Sequence, residues 1–494
     1  MPTIHDCTTF GALKASNYQP KSIKEELRSN LIKALQNNTN PFQGIHGYEE
    51  TVIPALQRAI LAGHNINLLG LRGQAKTRIA RLLTQLLDEY IPYIQGSEIN
   101  DDPFAPLSHF GRSQVEQLGD DCPIAWKHRD ERYVEKLATP DVSIADLIGD
   151  IDPIKAAAQK LSYADERVIH FGLIPRANRS IFVINELPDL QARIQVSLFN
   201  ILQEGDLQIR GFNLRLPLDL QFVFTANPED YTNRGSIVTP LKDRIESQII
   251  THYPMDIETG KTITKQEAKV PEQLKESIII PDLLLSLIEQ VAVEARNSEY
   301  IDVKSGVSAR LTISALETLY ATAERRMLLN GEKQSQARLA DFLQIIPAIT
   351  GKVELVYEGE QEGAAAVAAT LMEKAVRSTF AELYPSPEKV RKQTDNPYMQ
   401  VAQYFEKGNV IDLLSESTDK AFEAALKNIP PLEALIKKHQ PDLSGEEHLT
   451  HKEFLLHGLS AYSLISKKTL GKGHQFSDLL SGMLNMDQPF GDEE

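Results

Sequence analysis

The sequence predicts an α/β fold: a mostly parallel sheet with helices between its strands, followed by a helical region. Three observations predict it. Apolar runs of strand length at 66–69, 181–184 and 220–225 are separated by segments with helical spacing, and strands that alternate with helices pair in parallel. Each run leads into a glycine or a polar residue, namely Gly70, Asn185 with Glu186, and Asn227. Ligands of such sheets bind beyond the carboxyl ends of the strands, so these residues should converge. From about residue 256 onward strand signals fade and helical patterns dominate.

Taken in order, residues 1–42 read as a lead-in with one amphipathic helix over 23–35, closed by an Asn-rich turn that ends at Pro41. Residues 43–255 read as the α/β domain: a helix to Leu61, the strand 66–69, a helix over 78–90, a strand near 93–96, the strand 181–184, a helix over 191–203 and the strand 220–225. Lys76 and Glu186 lie 110 residues apart, more than one crossover needs, so an insertion is expected over about 97–175. A hairpin is expected over about 207–217, where alternation flanks the turn Gly211-Phe212-Asn213. Residues 256–384 read as a helical lid, with a polar linker at 256–271, amphipathic helices at 281–296 and 308–329, and an alanine-rich helix at 364–383. Residues 385–494 read as a helical C-terminal region with an acidic tail, opened by Pro385, Pro387 and Pro397.

Composition narrows the class. The 494 residues suffice for two to four domains, and 42% hydrophobic with 24% charged residues is ordinary for a globular protein. A net charge of −16 argues against broad binding to nucleic acid or acidic membranes, which need a basic surface. No apolar run approaches the roughly 18 residues that span a bilayer. Cys7 and Cys122 form neither a disulfide framework nor a metal-ligand spacing, and a cytoplasmic location is expected.

The chemistry concentrates in Asn67-Leu-Leu-Gly70-Leu-Arg72-Gly73-Gln74-Ala75-Lys76-Thr77-Arg78. A strand running into a glycine loop and a Lys-Thr pair can wrap phosphates in backbone N–H groups, neutralise the β/γ oxygens with Lys76 and offer the Thr77 hydroxyl to Mg²⁺. Gly70, Arg72, Gly73, Gln74, Ala75, Lys76, Thr77 and Arg78, with Tyr48 upstream, are the candidate ATP-binding residues. Ala75 stands where the pattern G-x-x-x-x-G-K-[ST] has its last glycine, and its Cβ leads one to expect a negative φ there. Asn185 and Glu186 end an apolar strand as a second hydrolysis motif would. Glu186 is the candidate for polarising water, and Asn185 can reach Mg²⁺ only through a water, so weaker Mg²⁺ binding and slower turnover are expected. Asn227 can position that water. Arg244 and Arg310 are candidates for charge stabilisation, the first from a neighbouring subunit.

With these motifs in order, residues from about 42 to 363 resemble the ATPase (I) subunit of magnesium chelatase, in the AAA+ superfamily near the MoxR-like group. The carrying residues are Gly70 to Thr77, the stretch 137–155, Gly172 to Glu186, Thr225 to Glu229, Leu241 to Arg244 and Gly306 to Leu311. The resemblance implies an AAA+ P-loop domain with a helical lid, a ring, expected as a hexamer, and a partner bearing a von Willebrand A-type domain. It also implies Asn227 as first sensor, Arg310 as second sensor and Arg244 as trans arginine finger. The 97–175 insertion and the hairpin look like the helix-2 and pre-sensor-1 elements of that clade, with Arg210 and Arg215 as candidates to face a pore. Two departures stand out: Asn185 replaces an Asp, and the last hundred residues resemble no subunit. A transcriptional or DNA-linked regulator and a nucleotide-gated scaffold with very slow hydrolysis are the alternatives. His448, His451 and His457 are spaced for a metal, but a capping box of Thr450 and Glu453 explains that stretch instead. Trp126 reads as part of a solvated charged face.

Overall fold

The computed structural model describes residues 4–479 except 163–164, 205, 208, 210–215, 229–236, 391–395, 428, 444 and 471–472. The chain divides into two units, 1–252 and 253–494.

In the first unit, helices α1 (Phe10–Ala15), α2 (Ile23–Gln36) and α3 (Val52–Ala62) lead to strand β1 (Ile66–Leu69), and helix α4 (Lys76–Leu82) follows it. Then come β2 (Tyr90–Ile94), β3 (Ile124–His128), β4 (Tyr133–Leu137), β5 (Gly149–Ile151), β6 (Ile169–Phe171), β7 (Ser180–Asn185), β8 (Asp206–Leu207), β9 (Leu216–Pro217), β10 (Leu220–Ala226) and β11 (Ser247–Ile250). The main sheet has the order β11-β1-β10-β7-β4 and is parallel throughout. Strands β7 and β10 are buried along their whole length, which is why they read as unbroken apolar runs. The register sets Leu69 opposite both Ala226 and Ile250, and Leu137 opposite Asn185, so the carboxyl ends form one rim.

Two expectations need correcting in this sheet. The strand near 93–96 is β2, and it pairs antiparallel with β3 outside the main sheet. The segment 97–175 is no simple insertion, because it contains the core edge strand β4, whose adjacent charged residues Glu135 and Lys136 mask it. The helix over 191–203 is two, Ala192–Ser197 and Phe199–Glu204. Strands β8 and β9 pair antiparallel at Leu207 and Leu216, but Arg210 and Arg215 lie outside the described residues. Trp126 is no solvated face: its indole N–H donates to Cys7 O at 2.8 Å, and its ring meets His5 edge-on.

The lead-in is built into the core. Ser22 and Glu25 form a reciprocal capping box that starts α2, and Ile23, Leu27 and Leu31 then pack with Ile181, Val183 and Val223 of the sheet. Glu26 of α2, buried, receives both guanidinium ends of Arg132 at 2.7 Å, while Arg132 Nε donates to Arg179 O at 2.9 Å.

The second unit has one continuous apolar core running from Ile278 to Phe476. Helices Asp282–Arg296, Arg310–Leu329, Ala364–Leu383 and Gly445–Ala461 dominate it. It also holds a short parallel pair, β12 (Ile278–Ile279) with β13 (Ser335–Gln336). A three-stranded antiparallel sheet is formed by β14 (Ile411–Leu414), β15 (Ser466–Leu470) and β16 (Gly473–Ser477), in the order β14-β16-β15. The segment 256–271 is not a linker, since a helix spans Ile257–Glu267 behind an Asp256 cap. Its buried face is polar, made of Gly260, Lys261 and Thr264, so hydropathy does not reveal it. Buried Arg326 spreads its donors over Asp341, Asp419, Ser335 and Gln336 O, which ties the 326–341 stretch to the C-terminal region. Thr450 and Glu453 sit mid-helix rather than at a cap. Glu453 instead accepts from Leu339 N and Ala340 N, capping another helix. Among the described residues no group of three or more potential ligands could hold a metal, and no helix is long and apolar enough to cross a membrane.

Candidate functional site

The rim of the main sheet brings three candidates into hydrogen-bond contact. The loop after β1 carries Lys76 at the first turn of α4, and its ammonium donates to Gly70 O, to Leu71 O at 3.0 Å and to Asn227 Oδ1 at 2.9 Å. Asn227, just beyond β10, turns its amide to Glu186 Oε2 at 2.9 Å. Lysine, amide and carboxylate thus form one chain across the ends of β1, β10 and β7.

The loop is held from behind. Gln74 Oε1 accepts from Thr251 Oγ1 at 2.7 Å, and a Cβ on Gly70 would strike both side chains, so only glycine fits there. Gly73 adopts φ +73°, a left-handed conformation that glycine enters without steric cost. The Tyr48 hydroxyl lies 2.7 Å from His252 O and 3.1 Å from Gln74 O, which anchors α3's approach to the loop. Thr77 and Arg72 are exposed and Arg78 half-buried. A phosphate group fits this cradle: a loop with no room for a side chain at Gly70, a lysine at its floor and an exposed hydroxyl beside it.

Ala75 departs from expectation. Its φ is +56°, where a negative value was expected. The loop keeps the left-handed turn that a glycine would make, and Ala75 adopts it against the clash of its own Cβ. Glu186 is likewise left-handed, at φ +54° and ψ 50°. Such strain in a non-glycine residue persists only where the surroundings enforce it. Here Glu186 N donates to Thr225 Oγ1 at 3.1 Å, and Thr225 Oγ1 donates to Asn185 Oδ1 at 3.1 Å.

Asn185 has a partner that sequence reasoning missed. Its Nδ2 donates to Glu135 Oε1 of β4. The other oxygen of Glu135 accepts from Arg81 of α4 and from the Tyr133 hydroxyl, both at 3.1 Å. The missing carboxylate at 185 was a signal to look for one on the adjacent strand, but which strand lies adjacent is not legible from the chain alone. Burial, then the Glu135 charge, raises the Tyr133 phenol, and the bond to Glu135 raises Arg81.

The two arginine candidates lie in different parts of the chain. Arg244 follows the short helix Thr239–Lys242, donates to Pro240 O at 2.7 Å and stacks over Phe199 at 5.2 Å. Arg310 opens the helix Arg310–Leu329 of the second unit, exposed, with its N–H on Ser308 Oγ at 3.2 Å.

This sheet order, with the Gly70–Thr77 loop after β1 and polar residues just beyond β7 and β10, gathers the candidate residues at the strand ends, where parallel α/β sheets bind ligands. The chain is similar in sequence to magnesium-chelatase ATPase subunits. Over 238 residues it is 26% identical to the magnesium-chelatase 38 kDa subunit of Cereibacter sphaeroides, covering 46% of this chain and 64% of that protein. Over 230 residues it is 27% identical to the subunit of the same name from Rhodobacter capsulatus, covering 46% and 60%. A third relative is the hydrogenase transcriptional regulatory protein HoxA of Cupriavidus necator, 25% identical over 167 residues, covering 33% and 34%. The chain thus matches less than two thirds of the length of each of these relatives. No family model matches it.

Proposed function

We propose that the chain is an Mg²⁺-dependent ATPase that works as a ring, a hexamer on the AAA+ pattern, and remodels a partner protein bearing a von Willebrand A-type domain. The hydrogen-bonded chain Lys76–Asn227–Glu186 at the strand ends carries this reading. ATP supplies the anhydride bond whose hydrolysis drives the work, and Mg²⁺ lowers the charge repulsion on its phosphates. Gly70, Gly73 and the backbone of Arg72, Gln74 and Ala75 would cradle the phosphates, Lys76 would neutralise them, and Thr77 would hold the metal, with Asn185 reaching it through water. Glu186 serves as base for the attacking water, which Asn227 orients through its amide. Arg244 would reach the site of a neighbouring subunit, and Arg310 would join lid to nucleotide. The relationship to the chelatase subunits supports ring and partner, and the cytoplasm, which holds ATP, is the compartment the reading requires.

The test is subunit mixing. Glu186→Gln should abolish phosphate release while leaving ATP binding intact. Arg244→Ala should do the same in the pure variant, and mixing the two should restore part of the activity, because mixed rings contain sites with both groups. An Arg244→Ala enzyme with undiminished turnover would remove the finger assignment. A second reading, a nucleotide-gated scaffold with very slow hydrolysis, is favoured by Asn185. It predicts binding with negligible turnover in the unmodified chain.

A further inference from the structure

Asn185 lacks the negative charge that an Asp would bring to the end of β7, yet the rim of the sheet does not lack it. We propose that Glu135 carries this charge from the neighbouring strand, as the positioning residue that orients the Asn185 amide and, through Thr225, the backbone of Glu186. The inference rests on the nucleotide reading above and deepens it.

The geometry is specific. Parallel pairing sets Glu135 opposite Val183, two residues before Asn185, so both side chains stand on one face of the sheet. Asn185 Nδ2 donates to Glu135 Oε1, and its Oδ1 accepts from Thr225 Oγ1. That assignment of the amide is the one in which every group has a fitting partner, since a carboxylate can only accept. Thr225 Oγ1 in turn accepts from Glu186 N. A relay therefore runs from a carboxylate on β4 to the residue that ends β7 in a left-handed conformation.

Exchange explains the asparagine. An Asp at 185 would set a second carboxylate against Glu135, and two such groups sharing a site cannot both stay ionised. Asn185 with Glu135 keeps a single negative charge and a hydrogen bond between the two strands. Arg81 of the loop helix meets the outer oxygen of Glu135, so the same carboxylate also ties α4 to the relay.

The experiment titrates Mg²⁺ against binding of a fluorescent N-methylanthraniloyl-ATP to the full chain, comparing the unmodified protein with Glu135→Gln, Asn185→Asp and the double variant. Loss of a group that orients a metal-site residue costs roughly 10–100-fold in metal affinity. Glu135→Gln should raise the half-saturating Mg²⁺ about tenfold or more and leave nucleotide binding in EDTA within about twofold. Asn185→Asp alone should also raise the half-saturating Mg²⁺, and the double variant, which returns one carboxylate and one amide, should recover to within about threefold of the unmodified protein. Unchanged Mg²⁺ dependence in a folded Glu135→Gln protein, or a double variant no better than Glu135→Gln, overturns the proposal. If Glu135→Gln does not fold, Glu135→Asp keeps the charge but withdraws it by one methylene; the same weakening is expected, and its absence overturns the proposal equally. Failure of the nucleotide reading shows itself differently, as no binding by the unmodified chain at any Mg²⁺ concentration.

Discussion

At Ala75 one methyl group sits in a backbone conformation that disfavours it, and the cost is measurable. Relief of a left-handed alanine is worth about 1 kcal/mol, so Ala75→Gly should raise the unfolding free energy of the first unit by about that amount. Urea unfolding of the nucleotide-free protein checks it, and an unchanged or lower midpoint would contradict the strain. The residue types of this site were legible in the chain, because Gly70, Lys76, Glu186 and Asn227 each end a recognisable strand or open a helix. Their backbone signs were not, since the loop around residue 75 is held through Gln74 by Thr251, which lies far along the chain. Glu135 escaped for a related reason: its partner is named only by sheet order.

Elements differ in how far they announce themselves. Strands β7 and β10, buried on both faces, read as apolar runs, whereas the edge strands β4 and β11 carry polar residues on an open side and do not. Helix α2 is visible by its periodicity, but its role is set by Glu26, which looks like any surface acid until Arg132 is placed against it. Breaking a buried pair leaves an uncompensated charge and typically costs about 3–5 kcal/mol. Arg132→Met should therefore destabilise the first unit by that order, and Glu26→Leu with Arg132→Met should recover most of it. Chemical denaturation of the unmodified protein and the two variants measures both. A double variant as unstable as the single would show that the loss lies in packing instead.

For the molecule as a whole, two units with separate cores imply two separate responses to pH. In the second unit burial holds His451 and His474 down at about 4, and holds His457 well below its usual value. Below pH about 6.5 the unfolded chain takes up these protons and the folded chain does not, so stability falls on acidification toward pH 4. Glu453, pushed up to about 7 by burial, acts in the opposite sense, because the folded chain takes its proton first. Burial lowers His439 as well and raises Glu289 and Glu447, while hydrogen bonds hold Asp256, Glu433 and, against burial, Asp419 low. Among the described residues, four lowered imidazoles and three lowered carboxyls against three raised carboxyls leave a net loss. The thermal midpoint of the second unit should drop between pH 7 and pH 4.5, and a midpoint that rises over that range would contradict the assignment.

The parallel sheet also sets an order of events on the ribosome. Strand β1, which leads into the Gly70–Thr77 loop, lies between β10 and β11, so both its hydrogen-bonding edges wait for residues beyond 220. The stretch from Leu69 to Val223 takes on the order of ten to thirty seconds to synthesise at roughly 5–20 residues per second. Through that interval a buried apolar strand is outside the exit tunnel without either neighbour, the kind of segment that sticks to other nascent chains. The α2 helix cannot shield it fully, because the Ile23 amide finds its acceptor only when Asp219 emerges. Synthesis of this protein should consequently depend on a holding chaperone more than its ordinary composition suggests, and slowing translation before residue 223 should lower soluble yield while slowing it after residue 252 should not.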